Sequence, residues 1–250
     1  MGVISLKSSM VRIVQQTFIY LLRSYYNISY IFSDDNNPCF ILVSGVYMIS
    51  DGVNRDFGFE GLQALGRSPC SRVMKILNAH GCFQLNSIAL KSISKMCNLE
   101  VLILSGCTNL NTDTMIGIAQ SCVKIKVLSF ASCSDCITNT MLEKIGPHLS
   151  SLEYFNLTDC KKIGRVALRG LSHCRKLSHL DLSGCTGLTN DAILALCEGS
   201  FEPGIRVLRL ERCVKISNHS LNWICQGLQD KNGGSAGEIT LLILAVKNTK

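Results

Sequence analysis

Short runs of alternating apolar residues recur along the chain, and each run ends on a cysteine. The clearest copies are LEVLILSGC (99–107), IKVLSFASC (125–133), LEYFNLTDC (152–160), LSHLDLSGC (177–185) and IRVLRLERC (205–213). SRVMKILNAHGC (71–82) is a further copy with Ala79 at a leucine position. A period of two predicts a β-strand, and self-similarity at a spacing of about 26 residues predicts stacked repeats.

The segment after each cysteine predicts a turn and a short helix. In the unit 99–122, Leu110 anchors the turn and Asn111-Thr112-Asp113 supplies helix-capping side chains. The apolar residues that follow share one helical face: Met115, Ile116, Ile118 and Ala119. One strand–turn–helix unit cannot bury its own apolar face, so we expect consecutive units to stack on a shared core.

The repeats divide the chain unevenly. Clear copies cover residues 70–228, and degenerate copies at 40–66 and 238–247 extend the array to residues 38–250. FILVSGV (40–46) is interpreted as the first strand, with Val46 at the cysteine position. Residues 1–37 do not fit the pattern and are interpreted as an N-terminal cap, a remnant of another domain, or a poorly defined start of the chain.

The composition mainly indicates the cellular compartment in which the protein is expected. The chain has 250 residues, 14 cysteines and a net charge of +7. The N-terminus lacks the basic region, apolar core and cleavage site of a secretory signal. The apolar stretch 17–32 is interrupted by Arg23 and is shorter than a membrane span requires. We therefore expect a cytoplasmic or nuclear protein with no membrane contact, in a reducing compartment where disulfides are rare.

The repeated cysteines suit a structural role. A free thiol behaves as a small hydrophobe with a weak S–H donor, and a tight turn at a strand end leaves carbonyls that need partners. We assign this role to Cys82, Cys107, Cys133, Cys160, Cys185 and Cys213. Cys133 and Cys136 also form a lone C-x-x-C, but a structural zinc site needs four ligands and no second pair is visible. No metal or cofactor is expected.

The pattern L-x-x-L-x-L-x-x-C, followed by a helix ending in cysteine, resembles the cysteine-containing leucine-rich repeats over about residues 70–247. It is most similar to the F-box/leucine-rich-repeat proteins and their F-box-free relatives in the antagonist-of-mitotic-exit-network group. The resemblance implies an α/β right-handed horseshoe with parallel strands concave and helices convex. It also implies a concave side that holds a protein substrate for a cullin-RING ubiquitin ligase.

An F-box commonly has a Leu-Pro start and a tryptophan near its end. Residues 1–69 show neither feature, and the only tryptophan is Trp223, inside a repeat helix.

Outward strand positions form the candidate partner-binding site, because tyrosine and arginine are favoured binding anchors. The residues chosen lie in the C-terminal half of the predicted sheet: Tyr154, Asn156, His179, Asp181, Arg209 and Glu211. The alternative is a solvated sheet face on which Asp181 and Arg209 pair across adjacent strands.

A run of basic residues forms a second candidate surface, with no acidic residue between its members. It comprises Lys161, Lys162, Arg165, Arg169, Arg175 and Lys176. It is interpreted as a solvated face, as a site for an acidic protein, or as a contact to a nucleic-acid backbone. No aromatic residues are interleaved for base stacking, so nucleic acid is the weakest of the three.

The sequence contains no phosphate-binding loop, no His-Glu-x-x-His and no Gly-x-Ser-x-Gly, so no catalytic residue is assigned. The leading hypothesis is a non-enzymatic recognition module, a monomer within a complex, that binds a protein substrate for an SCF-type ubiquitin ligase. The alternatives are a structural scaffold without a ubiquitin role and an accessory factor in DNA repair.

Overall fold

The computed structural model describes residues 46–48, 57–83, 85–198, 205–217 and 220, and everything below concerns these residues. The predicted last strand (238–247) and the helix around Trp223 lie outside them, as do residues 1–45. The described strands are β1 Val46–Met48, β2 Ile76–Asn78, β3 Val101–Ile103, β4 Val127–Ser129, β5 Tyr154–Asn156, β6 His179–Asp181 and β7 Val207–Arg209.

One helical segment follows most of these strands. The α-helices are α1 Phe57–Arg67, α2 Ser87–Lys91, α3 Thr112–Ser121, α4 Asn139–Ile145, α5 Arg165–Leu171 and α6 Asn190–Cys197. Three 3-10 turns, Pro69–Arg72, Ser92–Lys95 and Gly146–His148, accompany α1, α2 and α4. Asparagine starts two of the helices: the Asn86 and Asn111 side chains accept backbone N–H groups of α2 and α3. None of the described helices is long and apolar enough to span a bilayer.

Each strand pairs in parallel with the next one along the chain, in the order β1 to β7. The first outward row, in register, is Ile76, Val101, Val127, Tyr154, His179 and Val207. The second is Asn78, Ile103, Ser129, Asn156, Asp181 and Arg209. The predicted α/β solenoid with parallel strands is confirmed.

Pairing continues past the short strands. For example, the N–H groups of Leu157 and Asp159 donate to the carbonyls of Asp181 and Ser183 at 2.8 Å. The same pattern aligns a third outward row after the strands: His80, Ser105, Ala131, Thr158, Ser183 and Glu211.

The core lies between the sheet and the helices. The inward strand residues Leu77, Leu102, Leu128, Phe155, Leu180 and Leu208 pack in one cluster with apolar helix residues such as Met115 and Leu168. Strands in a sheet are spaced about 4.8 Å apart, whereas packed helices need about 8–10 Å. Stacking such units therefore curves the array with the sheet on the inner side.

Glycine sets the distance between two of the helical segments. Gly146, at the end of α4, faces the backbone of Gly170 in α5, and a Cβ on Gly146 would collide with the Gly170 carbonyl oxygen. A Cβ on Gly170 would lie 2.5 Å from Glu143 Cα and 2.7 Å from the Leu142 oxygen. Only glycine allows this close approach of the two backbones.

The first strand lies elsewhere than the sequence indicated. β1 is Val46–Met48, and its register places Val46 beside Ile76, at the first outward position. The prediction that Val46 occupies a cysteine position was therefore wrong. Residues 40–45 of the predicted strand lie outside the described residues.

The cysteines connect neighbouring repeats. The thiols of the five repeat cysteines from Cys107 to Cys213 donate to the carbonyl at the end of the strand in the preceding repeat, at 3.1–3.3 Å. The pairs are Cys107–Ala79, Cys133–Leu104, Cys160–Phe130, Cys185–Leu157 and Cys213–Leu182. Each of these carbonyls also accepts the backbone N–H of the cysteine in its own repeat. The thiol thus occupies the second acceptor site of a buried carbonyl.

Cysteines at the helix ends also donate their thiol hydrogens to backbone carbonyls of the preceding repeat, on the helix side of the core. The Cys122 thiol lies 3.4 Å from the carbonyls of Ile93 and Met96, and the Cys174 thiol lies 3.5 Å from that of Gly146. Burial raises the pKa of the Cys122, Cys160 and Cys174 thiols to about 12. They are therefore protonated donors at neutral pH.

We expect Gly170→Ala to lower the free energy of unfolding by about 1–3 kcal/mol, because the methyl group forces the backbones of α4 and α5 apart. The matched control is Gly117→Ala in α3, where nothing lies within 4 Å of the added Cβ. It should raise the free energy of unfolding by about 0.5–1 kcal/mol through helix propensity. Urea denaturation measures both values, and equal effects would contradict the close approach.

The hydrogen bonds of the buried thiols predict that the free energy of unfolding depends on pH. At pH 7.5, Cys160→Ala should cost about 1–2 kcal/mol through lost packing and a lost donor. The pKa of Cys160 is raised from 9.0 to about 12 on folding, so its stabilisation is complete below pH 9 and is lost as the pH rises towards 12. The stability difference between wild type and variant should therefore shrink by about 1.4 kcal/mol by pH 10. Urea denaturation with reductant tests this, and a constant difference would refute it.

Candidate partner-binding site on the sheet face

The sheet face is defined here as the side of the sheet opposite the helices, formed by the three outward rows. The six predicted contact residues meet on three adjacent strands of this face. Tyr154 and Asn156 lie on β5, His179 and Asp181 on β6, and Arg209 on β7. Glu211 follows β7 directly, beside Ser183 of the preceding repeat.

Burial divides these six residues into two groups. Tyr154, Asn156 and Asp181 are only 6%, 2% and 4% exposed. His179, Arg209 and Glu211 are half-buried and keep accessible surface. The part of the candidate site that can touch a partner therefore lies towards β7, and the buried residues underlie it.

Asn156 and Asp181 have internal hydrogen-bond roles. The Oδ1 atom of Asn156 accepts the N–H of Thr158 at 2.9 Å and its hydroxyl at 2.7 Å. The Oδ1 atom of Asp181 accepts the N–H of Ser183 at 3.0 Å. Asn78 makes the same contact to the N–H of His80 in an earlier repeat. These side chains satisfy the backbone where each strand ends.

Asp181 and Arg209 also form an ion pair across adjacent strands. The Arg209 Nη1 and Asp181 Oδ2 atoms are 3.5 Å apart, and the side chains are 13% and 5% exposed. The structure thus contains the cross-strand pairing that the alternative interpretation predicted. The Asp181 charge is compensated within the protein and is not presented alone to a partner.

Tyr154 carries a polar atom without a partner. Its Oη is buried and has no hydrogen-bond partner in the described structure. Burial, reinforced by the Asp181 carboxylate and opposed by Arg209, raises the pKa of Tyr154 to about 12. Its ring lies beside the His179 imidazole, with centroids 6.2 Å apart.

His179 is held in place by its neighbours. Its Nδ1 lies 2.8 Å from the Ser178 hydroxyl. Burial lowers the pKa of His179, and the positive charges of Arg206 and Arg209 lower it further. At pH 7 this imidazole is therefore neutral, and it acts on the sheet face as a polar ring and not as a cation.

An ion pair that the sequence analysis missed crosses the rim beside this site. Arg212 Nη2 lies 3.2 Å from Asp159 Oδ1, although the two residues are 53 positions apart. Gly184 lies between them, and a Cβ there would collide with the Asp159 carboxylate. All three residues precede a repeat cysteine, so aligning the repeats on their cysteines would have placed them side by side.

The basic run is divided by the structure. Lys161 and Lys162 follow β5 at the carboxyl end of the strands, whereas Arg175 and Lys176 precede β6 at the opposite edge. Lys162 lies 3.6 Å from Asp135, and Arg169 lies 2.8 Å from Glu143. The six cations therefore do not form one continuous patch, and two are paired with acids.

No group of three potential metal ligands is present among the described residues. Within this part of the chain, Cys133 and Cys136 have no third cysteine, histidine or carboxylate grouped with them.

Consecutive strand–turn–helix repeats, joined by a parallel sheet and by a cysteine at the end of each strand, define the class: an α/β leucine-rich-repeat solenoid. No family model matches the chain. Solved structures that are similar to the chain include two complexes. One is the Rad7–Elc1 complex in yeast, at 16% identity and a TM-score of 0.37, covering 69% of this chain and 63% of that one.

The other is the complex of TLR13 with ssRNA13, at 18% identity and a TM-score of 0.42. It covers 60% of this chain and 21% of that one. The chain thus spans less than two thirds of either matched chain. Neither likeness bears on what this chain binds.

The Asp181–Arg209 pair can be tested by a double-mutant cycle. Asp181→Ala alone should cost about 2–3 kcal/mol, because it leaves a poorly exposed guanidinium without its carboxylate. Adding Arg209→Ala should cost less than the sum of the single changes, with a coupling energy above about 1 kcal/mol. The exposed pair Lys162–Asp135, with side chains 53% and 91% exposed, is the control and should couple by less than about 0.5 kcal/mol. Equal coupling in the two cycles, measured by urea denaturation, would contradict the assignment.

Proposed function

We propose that the chain is a non-enzymatic protein-recognition module that binds its partner on the sheet face around β6 and β7. The observation that carries this proposal is the arrangement of His179, Arg209 and Glu211. Their side chains keep accessible surface side by side. The buried Tyr154, Asn156 and Asp181 lie on the same face, on β5 and β6.

The arrangement favours binding because it is already ordered. Asp181 is fixed by the N–H of Ser183 and orients Arg209, and Ser178 orients the His179 ring. Association is costly when side chains must be immobilised, so a rigid site loses less conformational entropy on binding. An arginine on a rigid surface next to a neutral imidazole and a carboxylate suits a protein partner with both polar and charged groups.

The chemistry of the repeat cysteines supports a binding role over a catalytic one. A thiolate and not a thiol is the nucleophile, and burial raises the pKa of Cys160 to about 12 and that of Cys213 to about 11. These thiols are also committed as donors to backbone carbonyls. They serve the fold and are poor candidates for covalent catalysis.

The more specific part of the proposal is that the partner is a substrate of an SCF-type cullin-RING ubiquitin ligase, in the cytoplasm or nucleus. Its support is the resemblance of the L-x-x-L-x-L-x-x-C motif to the F-box/leucine-rich-repeat proteins and their F-box-free relatives. In those proteins the same face of the solenoid holds the substrate.

The test is quantitative affinity purification of the tagged full chain from cells. His179→Ala combined with Glu211→Ala should lower recovery of the bound partner at least about tenfold, because it removes two side chains of the accessible site. Neither residue contributes to the core cluster, so the fold should be retained. Arg165→Ala combined with Lys176→Ala removes two exposed charges away from this face and should leave recovery unchanged.

Recovery of cullin-ligase subunits together with a partner lost in the His179/Glu211 variant would support both parts of the proposal. A partner lost in that variant without ligase subunits would support recognition and refute the ubiquitin role. A stable complex that is indifferent to the variant would refute the site and favour a scaffold. A partner recovered only at low salt, with DNA, would favour the repair alternative.

A further inference from the structure

The repeat containing β4 has a longer turn than the other described repeats. In those repeats the buried apolar residue after the cysteine comes three positions later, at Leu85, Leu110, Ile163, Leu188 and Ile216. After Cys133 the fully buried residue is Ile137, four positions later. Cys136 occupies the third position, where the other repeats carry leucine or isoleucine, and both Cys136 and Ile137 donate their N–H to the Cys133 carbonyl, at 3.3 and 3.1 Å. This turn thus carries a second cysteine at a position that is apolar in the other described repeats.

The turn brings the two cysteines together. A hydrogen bond between residues i and i+3 defines a β-turn with Cα atoms less than about 7 Å apart, and disulfides span about 4.4–6.8 Å. The Cys136 thiol lies 3.3 Å from the Cys107 carbonyl and 3.5 Å from that of Cys133. The pair therefore has the proximity that a disulfide requires.

The two thiols differ in chemistry. The neighbouring Cys136 thiol and burial raise the pKa of Cys133 far above its usual range. The neighbouring Cys133 thiol lowers the pKa of Cys136 to about 7, against the opposing effect of burial. Cys136 is also half-buried, whereas Cys133 is buried. Cys136 thus has both the accessibility and the thiolate character of a reactive cysteine.

We propose that Cys136 is a hydroperoxide-reactive thiol and that Cys133 is its resolving partner. The Cys136 thiolate attacks the outer peroxide oxygen, the O–O bond breaks, and an alkoxide or hydroxide leaves and takes up a proton. Cys136 becomes a sulfenic acid. Cys133 then loses its proton and attacks the Cys136 sulfur, so that an S–S bond forms and water leaves. In total, two thiols and one hydroperoxide give one disulfide, one alcohol or water from the peroxide, and one further water.

Oxidation acts directly on the stacking of repeats. The reduced Cys133 thiol donates to the Leu104 carbonyl at 3.1 Å, across the boundary between the β3 and β4 repeats. A disulfide removes this donor, and the Leu104 carbonyl then keeps only the N–H of Cys107. The reactive pair is therefore a modification site, independent of the proposed partner-binding site, that weakens one repeat boundary when it is oxidised.

The experiment treats the folded full chain at pH 7.5 with hydrogen peroxide, followed by iodoacetamide, unfolding and trypsin. Residues 127–144 form a single tryptic peptide with both cysteines, and residues 145–161 form one with Cys160 alone. We expect the 127–144 peptide to lose two hydrogens and to take up no alkyl group. This should happen at least about tenfold faster than any oxidation of Cys160, which serves as the internal control. The oxidised protein should also unfold at a lower urea concentration than the reduced protein.

Two variants distinguish the reactive thiol of Cys136 from the resolving thiol of Cys133. Cys133→Ser keeps a hydroxyl donor for the Leu104 carbonyl and removes the resolving thiol, so Cys136 should stop at a sulfenic acid that dimedone captures. Cys136→Leu installs the residue type that the other repeats carry, and Cys133 should then stay reduced. The proposal is overturned if the 127–144 peptide oxidises no faster than Cys160, or if Cys133 oxidises equally fast in Cys136→Leu. It is also overturned if Cys136 is found mainly in disulfides with other cysteines.

Discussion

The stacking of this molecule depends on a buried carbonyl group that follows each of the strands β2 to β6. That carbonyl accepts an N–H from the turn of its own repeat and a thiol S–H from the next repeat, as at Leu157 with Cys160 and Cys185. A carbonyl oxygen has two lone pairs, so the N–H leaves a second acceptor site in the core, and that site needs a small protonated donor at each of these repeat boundaries. Cysteine meets this need because its side chain is short and apolar and burial keeps it protonated. The same bond sets the register of neighbouring repeats.

The turn that positions each cysteine requires a left-handed backbone conformation. Some repeats place glycine at this position, and others place a residue with a side chain. The residue before the cysteine has a positive φ throughout, near +74° at Gly81 and Gly106 and near +60° at Ser132, Asp159 and Arg212. Glycine adopts this conformation freely, whereas other residues lose about 1–3 kcal/mol. At Asp159 and Arg212 the side chains lie on the rim and pair with each other across Gly184. A repeated backbone constraint thereby places charged groups next to the candidate site.

The sheet face combines ordered backbone contacts with accessible side chains, which is why we propose it as a rigid binding surface. Its first and second outward rows contain residues that the backbone itself uses, such as Asn156 and Asp181, and residues that remain accessible, such as His179 and Arg209. Polar residues on an outward row are therefore not equivalent, because some satisfy strand ends and others remain accessible. Position 136 follows the same logic, since a cysteine in place of the usual leucine or isoleucine makes the structural Cys133 one of a pair.

The sequence by itself determined the repeat, the direction of each strand side chain and the three outward rows, because these follow from a period of two and from the spacing of the cysteines. It also placed Tyr154 through Glu211 on adjacent strands, for the same reason. The tertiary structure decided which of these residues are accessible, since burial of Asn156 and Asp181 depends on neighbours in other repeats. It decided the carbonyl acceptors of the cysteine thiols, the Asp159–Arg212 pair and the separation of the basic residues. It also decided the position of β1, where the sequence pattern is weak and the register follows from pairing with β2. Contacts between residues 25 to 53 positions apart arise only when the repeats are stacked, so no local pattern contains them.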